Sequence, residues 1–226
     1  MAAGKEGVAL VSGGDIWDDG SGREVGRRMK GEGMSLKDLY VAARSYRRFE
    51  QARDVDVETL VAAVDAARLV PSSINFQPMR YAVSVNREMN ARIFEHLIWA
   101  RALKDWGGPK EGERPAGYIV IGGDINFPQH HMVDLGIACM SVFLCLAEAG
   151  LAACMIGSIN AKRIHEIVGF PEEVKVLQVM AVGYPGETVV LEDLQPGAAT
   201  TYYRDAQDHH HVPKRLLDDV LLAKFV

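Results

Sequence analysis

Between Gln129 and Ala149 the chain is small or apolar on nearly every side when wound as a helix: Leu135, Gly136, Ala138, Cys139, Ser141, Val142 and Leu146. A helix without a polar face must be covered all round, by the chain's own core or by a second subunit. It is the longest helix in the pattern, so the other elements have to be arranged about it. With 226 residues, 48% hydrophobic and 24% charged, there is material for one sizeable core. No uninterrupted apolar run approaches the ~18 residues of a spanning helix, so no membrane partner is expected.

The charge balance adds a second exclusion. The chain carries 25 basic and 30 acidic residues, a net charge of −5. Nucleic-acid phosphates reward a basic surface, so no nucleic-acid partner is expected. The opening Met-Ala-Ala-Gly-Lys-Glu lacks the apolar stretch of a secretory signal. Cys139, Cys145 and Cys154 cannot all pair within one chain and lie among apolar neighbours, which reads as buried structural thiols in a reducing cytoplasm.

Residues 1–33 hold nine of the 22 glycines and show no sustained apolar period. They read as a flexible Gly-rich leader, with the folded domain over 34–226. Val8 to Gly14 mimics the strand and turn of a nucleotide site, but no third glycine or helix follows.

Ser35-Leu-Lys-Asp38 is a helix-start box, followed by Leu36, Leu39, Tyr40 and Ala43 on one face. A second helix is expected from Asp56 to Leu69, stopped by Pro71. Residues 81–85 alternate as a strand, and 87–104 read as a helix carrying Ile93, Leu97, Trp99 and Ala100. Strands follow at 118–121, 152–156 and 176–182, with a short helix over 161–168 closed by Gly169. Leu216–Phe225 reads as a last apolar helix or strand. Helices and strands do not alternate strictly, so the expected class is α+β rather than doubly wound.

Four segments carry candidate chemistry. Arg44-Ser-Tyr-Arg47-Arg48 sets cations and a hydroxyl just after a helix, a donor set suited to a phosphate monoester or to a solvated loop. Pro71-Ser-Ser-Ile-Asn-Phe-Gln-Pro78 is a stiff polar loop. Its Asn75 and Gln77 suit the edge of a heteroaromatic ring, although Pro and Ser also make an ordinary helix-ending loop. Met155-Ile-Gly-Ser158 ends a buried strand with a glycine, either a plain turn or a place where a flat ligand approaches the backbone. Val212-Pro-Lys-Arg215 adds two cations near the end of the chain.

In order and spacing, these segments resemble the nitroreductase family of FMN-dependent oxidoreductases, over Ser35 to the C-terminus. The resemblance implies a homodimeric α+β sandwich with FMN in two clefts at the subunit interface. Arg44, Ser45 and Arg47, with Tyr46 among them, would then hold the FMN phosphate and ribityl chain, helped by Lys214 and Arg215. Pro71, Ser72, Ser73, Asn75 and Gln77 would line the isoalloxazine ring, mostly from the other subunit. Ile156 and Gly157 would lie against the ring, with a backbone amide near its hydride-accepting nitrogen. Ala43 stands where the family often has a basic residue, with Arg48 or Arg204 as replacements. NADH or NADPH would donate hydride and a small acceptor, such as a nitroaromatic or quinone, would take the electrons by ping-pong turnover. The flavin carries that chemistry, so no catalytic side chain is expected.

Other readings exist beside this one. The chain could be a flavin carrier or sensor without turnover, or a specialised relative: a dehalogenase, a flavin-cleaving enzyme or a dehydrogenase. Residues 96–113, with Trp99 and Trp106, are the expected lid over the flavin. His130-His131 and His209-His-His211 lack the spacing of metal ligands and read as polar loops, so no metal is expected.

Overall fold

A computed structural model describes residues 8–10, 17–18, 24–25, 34–103, 106–126, 128 and 131–226. In chain order these form β1 (Val8–Leu10), β2 (Trp17–Asp18), β3 (Glu24–Val25), α1 (Leu36–Ala42), α2 (Val57–Arg68), β4 (Met79–Ser84) and α3 (Arg87–Phe94). They continue as β5 (Gly117–Asp124), α4 (His131–Glu148), β6 (Ala152–Ile156), α5 (Ala161–Val168) and β7 (Val174–Gly183). The last are β8 (Val189–Asp193), β9 (Tyr203–Arg204), β10 (His210–Lys214) and α6 (Leu217–Val220). Of the expected leader, only the backbone of β1 to β3 is described; the rest of 1–33 lies outside the described residues.

The chain divides into two compact units. The first comprises Met34–Arg101 and Asp105–Gly186. Its centre is an antiparallel four-stranded sheet in the order β4-β5-β7-β6. Local signals bound the helices. Ser35 and Asp38 close a reciprocal capping box on α1, and the Asp56 side chain caps α2. Gly169 ends α5 at φ 69°, the left-handed conformation that glycine adopts without strain.

Helices α1, α2 and α4 pack together, and α2 and α4 rest on the sheet. There Leu60, Ala63 and Ala67 of α2 meet Ile119, Ile121, Met180 and Val182 of the strands and Leu135, Ala138, Cys139, Val142 and Leu146 of α4. The alternate strand residues Tyr118, Val120, Val179 and Ala181 are buried outside that core; α5 packs on β7 and α3 on α5. One face of α4 is thus accounted for. Met132, Val133 and Ile137 remain exposed, with Met140 and Leu144 half-buried. An apolar face at this helical spacing is what the all-round pattern predicts when one chain covers only half of it.

The second unit comprises Met1–Gly33, Ala102–Lys104 and Glu187–Val226. It holds a sheet in the order β3-β2-β1-β8-β10-β9, in which β8 and β10 run parallel. Val189 and His210 are fully buried in it.

Two expected elements come out differently. The helix expected over 87–104 stops at Phe94, because residues 96–98 turn to pair with 158–160: Ile98 N donates to Ser158 O (2.9 Å) and Asn160 N to His96 O (2.9 Å). Tertiary pairing outweighs local helical preference there. The expected element over 216–225 is a single helical turn, α6, followed by irregular chain with Leu222 and Phe225 exposed. A helix that short cannot sustain itself without a covering surface.

Candidate flavin site

The Arg44–Arg48 segment leaves α1 and runs along the outer edge of β6. Ser45 forms a parallel bridge with Ala153, and Tyr46 N donates to Ala153 O (2.9 Å). Further on, Glu50 N donates to Tyr184 O (3.0 Å) and Gly186 N to Arg48 O (3.0 Å). The approach at Gly186 is so close that a Cβ there would lie 2.7 Å from the Phe49 carbonyl carbon. Buried Tyr46 and Phe49 anchor the segment, fixing where its arginines start.

Arg44 is the unusual member. One of its terminal nitrogens donates to Tyr40 O (2.6 Å), while its Nε is buried with no partner among the described residues. No carboxylate pairs with it there, and burial lowers its pKa, against a smaller opposing influence of Tyr46. Arg47 is 9% exposed and reaches Ser45 O (3.3 Å). Arg48, by contrast, faces Glu113 (3.5 Å) and the Trp106 ring.

The same edge ends in Ile156 and Gly157. With its carboxamide oxygen turned toward them, Gln178 of β7 accepts from Ile156 N (2.9 Å) and Gly157 N (3.2 Å). Gln178 was not apparent as a site residue in the sequence. The Trp99 ring is packed against Phe94 (centroids 5.9 Å apart) and is 6% exposed; it belongs to the packed interior, not to a free lid. Lys104 and Asp105 of the expected lid lie outside the described residues.

The Pro71–Pro78 loop leads into β4, at the opposite edge of the sheet from β6. Its Ser73–Asn75 stretch is a 3-10 turn in which Ile74 and Asn75 have φ of 48° and 59°, and Gln77 just beyond it has φ of 50°. Left-handed backbone at three non-glycine residues is strained, and strain of this kind persists only where surroundings over-determine it. Gln77 N donates to Ser72 Oγ (3.0 Å), and Arg80 donates to Gln77 O (2.8 Å). Asp134 of α4, also missed in the sequence, accepts from Ser73 N (2.9 Å) and Ser73 Oγ (3.0 Å). A cavity of about 160 Å³ is lined there by Pro71, Ser72, Gln77, Arg80, Tyr81 and Asp134. Burial, and then the neighbouring Cys139, pushes the Tyr81 hydroxyl up to about 12.

Lys214 and Arg215 belong to the second unit, where Lys214 ends β10 opposite Asp193. Arg204, the other suggested replacement for a basic residue at Ala43, is engaged there with Glu187 and Asp208. All three cysteines are free thiols, and burial pushes Cys139 up to about 12, far from thiolate reactivity. Both ring nitrogens of His211 face carboxylates, Glu192 (3.1 Å) and Asp205 (3.0 Å). Among the described residues no three His, Cys, Asp or Glu side chains converge as metal ligands, and no helix is long and apolar enough to cross a membrane. His130 and the His131 side chain lie outside the described residues.

The family model for nitroreductases matches residues 41–184, which span the arginine segment, the polar loop, α4 and the strand end. The chain belongs to the nitroreductase family of FMN-dependent oxidoreductases. Among its relatives is a protein of Methanothermobacter thermautotrophicus, named as a candidate NADH dehydrogenase/NAD(P)H nitroreductase, 28% identical over 71% of this chain and 83% of its own length. An iodotyrosine deiodinase of Thermotoga neapolitana is 22% identical over 67% of this chain and 89% of its own. A nitroreductase from Exiguobacterium sibiricum, solved in complex with FMN, shares the fold with a TM-score of 0.58 at 16% identity. That match covers 70% of this chain and 92% of the other. The α+β architecture expected from the sequence is therefore that of the nitroreductase fold.

Proposed function

We propose that this nitroreductase binds FMN at the β6 edge and transfers hydride from NADH or NADPH, through the flavin, to a small acceptor such as a nitroaromatic or quinone. One observation carries the reading: Arg44 is a part-buried guanidinium whose Nε has no partner, and which no carboxylate neutralises, among the described residues. Leaving such a group unmatched is costly, so it fits a bound anion. Arg44 and Arg47 bind the phosphate, with Ser45 and Tyr46 beside it on a backbone pinned to β6 and to the turn that follows β7. When bound, FMN supplies hydride acceptance and donation.

Ile156 and Gly157 offer backbone amides at the strand end, now directed at Gln178. Gln178 therefore holds those amides until a ligand acceptor competes for them. Pro71, Ser72, Ser73, Asn75 and Gln77 line the ring. The loop and the arginine segment stand at opposite edges of a four-stranded sheet, the arginines bridged outside β6, and four strand spacings separate them by roughly 19 Å. One chain thus supplies two halves of different clefts, which supports a homodimer built on the exposed face of α4. Of the expected lid, residues 96–99 are fixed, 96–98 by pairing with 158–160 and Trp99 by burial, so no lid movement is assigned to them.

The decisive experiment is to purify the protein, release any flavin by denaturation and identify it by chromatography. Release of FMN, with NADH or NADPH oxidation sustained only when an acceptor is present, is expected. Colourless protein that takes up no added FMN refutes the reading. A flavin that is bound but never turned over assigns the carrier role instead. An iodinated phenol among the acceptors tests the dehalogenase alternative, which the deiodinase relative makes specific.

A further inference from the structure

We propose that Asp134 is a positioning residue for the flavin site: its carboxylate holds the left-handed turn that presents Asn75 and Gln77. The proposal rests on the FMN reading and concerns a residue that reading leaves out. Asp134 is 2% exposed, in the first turn of a helix whose other acid, Glu148, stands at its far end. Its Oδ1 takes both Ser73 donors, at 2.9 and 3.0 Å, while its Oδ2 is buried with no partner among the described residues. A core selected for stability alone would replace so expensive a group with an aliphatic side chain. Retaining it makes physical sense where it fixes something else.

What it fixes is the turn. Ile74 is β-branched and sits at φ 48°, ψ 25°, and Asn75 and Gln77 follow in the same left-handed region. Free of constraint, such residues relax to extended or right-handed backbone. The Ser72 hydroxyl and Arg80 secure the Gln77 end of the loop. Asp134 secures the Ser73 end, and it does so from α4. Because it claims both the amide and the hydroxyl proton of Ser73, that hydroxyl serves the loop's shape. The Asn75 side chain is left outward and exposed. Asp134 thus acts on the ring through the loop, without touching it.

The test compares Asp134→Ala, Ser73→Ala, the double variant and Asp134→Asn in the full-length protein. FMN dissociation constants and the absorption bands of bound flavin are the readouts. Each alanine variant should weaken FMN binding about 10- to 100-fold, as expected for loss of a charge-assisted hydrogen bond, and shift the bound flavin's bands. The double variant should be no worse than Asp134→Ala, and Asp134→Asn, which keeps an acceptor oxygen, should recover most of the affinity. Additive losses, or wild-type affinity and spectrum in Asp134→Ala, overturn the proposal. If Asp134→Ala fails to fold, wild-type affinity in Ser73→Ala overturns it just as well. Should the wild-type protein bind no FMN, the FMN reading fails separately. Hydrogen exchange of the Ser73, Asn75 and Gln77 amides then decides the role of Asp134: faster exchange in Asp134→Ala, largely restored in Asp134→Asn, supports it, and unchanged exchange in Asp134→Ala overturns it.

Discussion

Replacing Arg44 by alanine should move stability and flavin affinity in opposite directions. The guanidinium is part-buried, its Nε has no partner among the described residues, and a terminal nitrogen donates to Tyr40 O. Alanine removes that one contact, worth about 1 kcal/mol, together with the cost of an unmatched buried donor, about 1–3 kcal/mol. The two nearly cancel, so the melting temperature of Arg44→Ala without flavin should equal or exceed that of wild type. With FMN bound, the same substitution removes a charge-assisted contact worth roughly 1.5–3 kcal/mol, which is about a 10- to 150-fold rise in dissociation constant. Arg87→Ala is the control. Its partner is Asp54 at 2.9 Å, but the two side chains are 75% and 82% exposed, and such pairs contribute little. Arg53 would be a poor control, because its guanidinium lies 3.3 Å from the Tyr184 ring centroid. Fluorescence titration of FMN into each variant, paired with thermal melts without flavin, measures both quantities. Wild-type FMN affinity in Arg44→Ala, or a loss of flavin-free stability as large as a core deletion, would refute the phosphate assignment.

Two further predictions concern other surfaces. A charge at Ile137, on the exposed face of α4, should leave the subunit folded but make it monomeric and weaken FMN binding with it. Sedimentation of Ile137→Glu alongside flavin titration checks this, and a folded monomer with wild-type affinity would count against the shared cleft. Ala138 would not serve, since it lies in the chain's own core. His211 gives a pH dependence: desolvation pulls its pKa down, but hydrogen bonds to Asp205 and Glu192 outweigh that and raise it. Its contribution should be complete below about pH 6.5 and drain away as pH rises through the raised value. The melting temperatures of His211→Gln and wild type should therefore differ more at pH 6 than at pH 9; an equal gap at both sinks the argument.

What could be read in the sequence was whatever is set by neighbours along the chain. Helix caps at Ser35 and Asp56, the left-handed stop at Gly169 and the buried strands β5, β6 and β7 all depend on short-range chemistry, and they emerge near their expected bounds. Strands β8 and β10 did not. They pair in parallel with each other across an intervening stretch, and His210, a residue that reads as polar, is buried there against Tyr202. The end of α3 was lost for the same reason: the partner at 158–160 is far along the chain, and nothing local announces it.

The site divides along the same line. Arg44 to Arg47, the 71–78 loop and Ile156-Gly157 could be found as segments because each carries unusual residues close together. Their relative placement is a property of strand order, and the order β4-β5-β7-β6 puts the loop and the arginines at opposite edges. Asp134 did leave a trace in the sequence: an acid between Val133 and Leu135, in a stretch that runs small or apolar from there to Ala147. A charge in that position has to be satisfied by something distant, and its recorded partner is the Ser73 end of the loop. In the proposed homodimer, the helix that orders one cleft's loop from its inner face would present its outer face to the subunit whose arginines the loop would serve. Binding at the cleft and contact between subunits then act through one element, which is why a charge at Ile137 is expected to cost both.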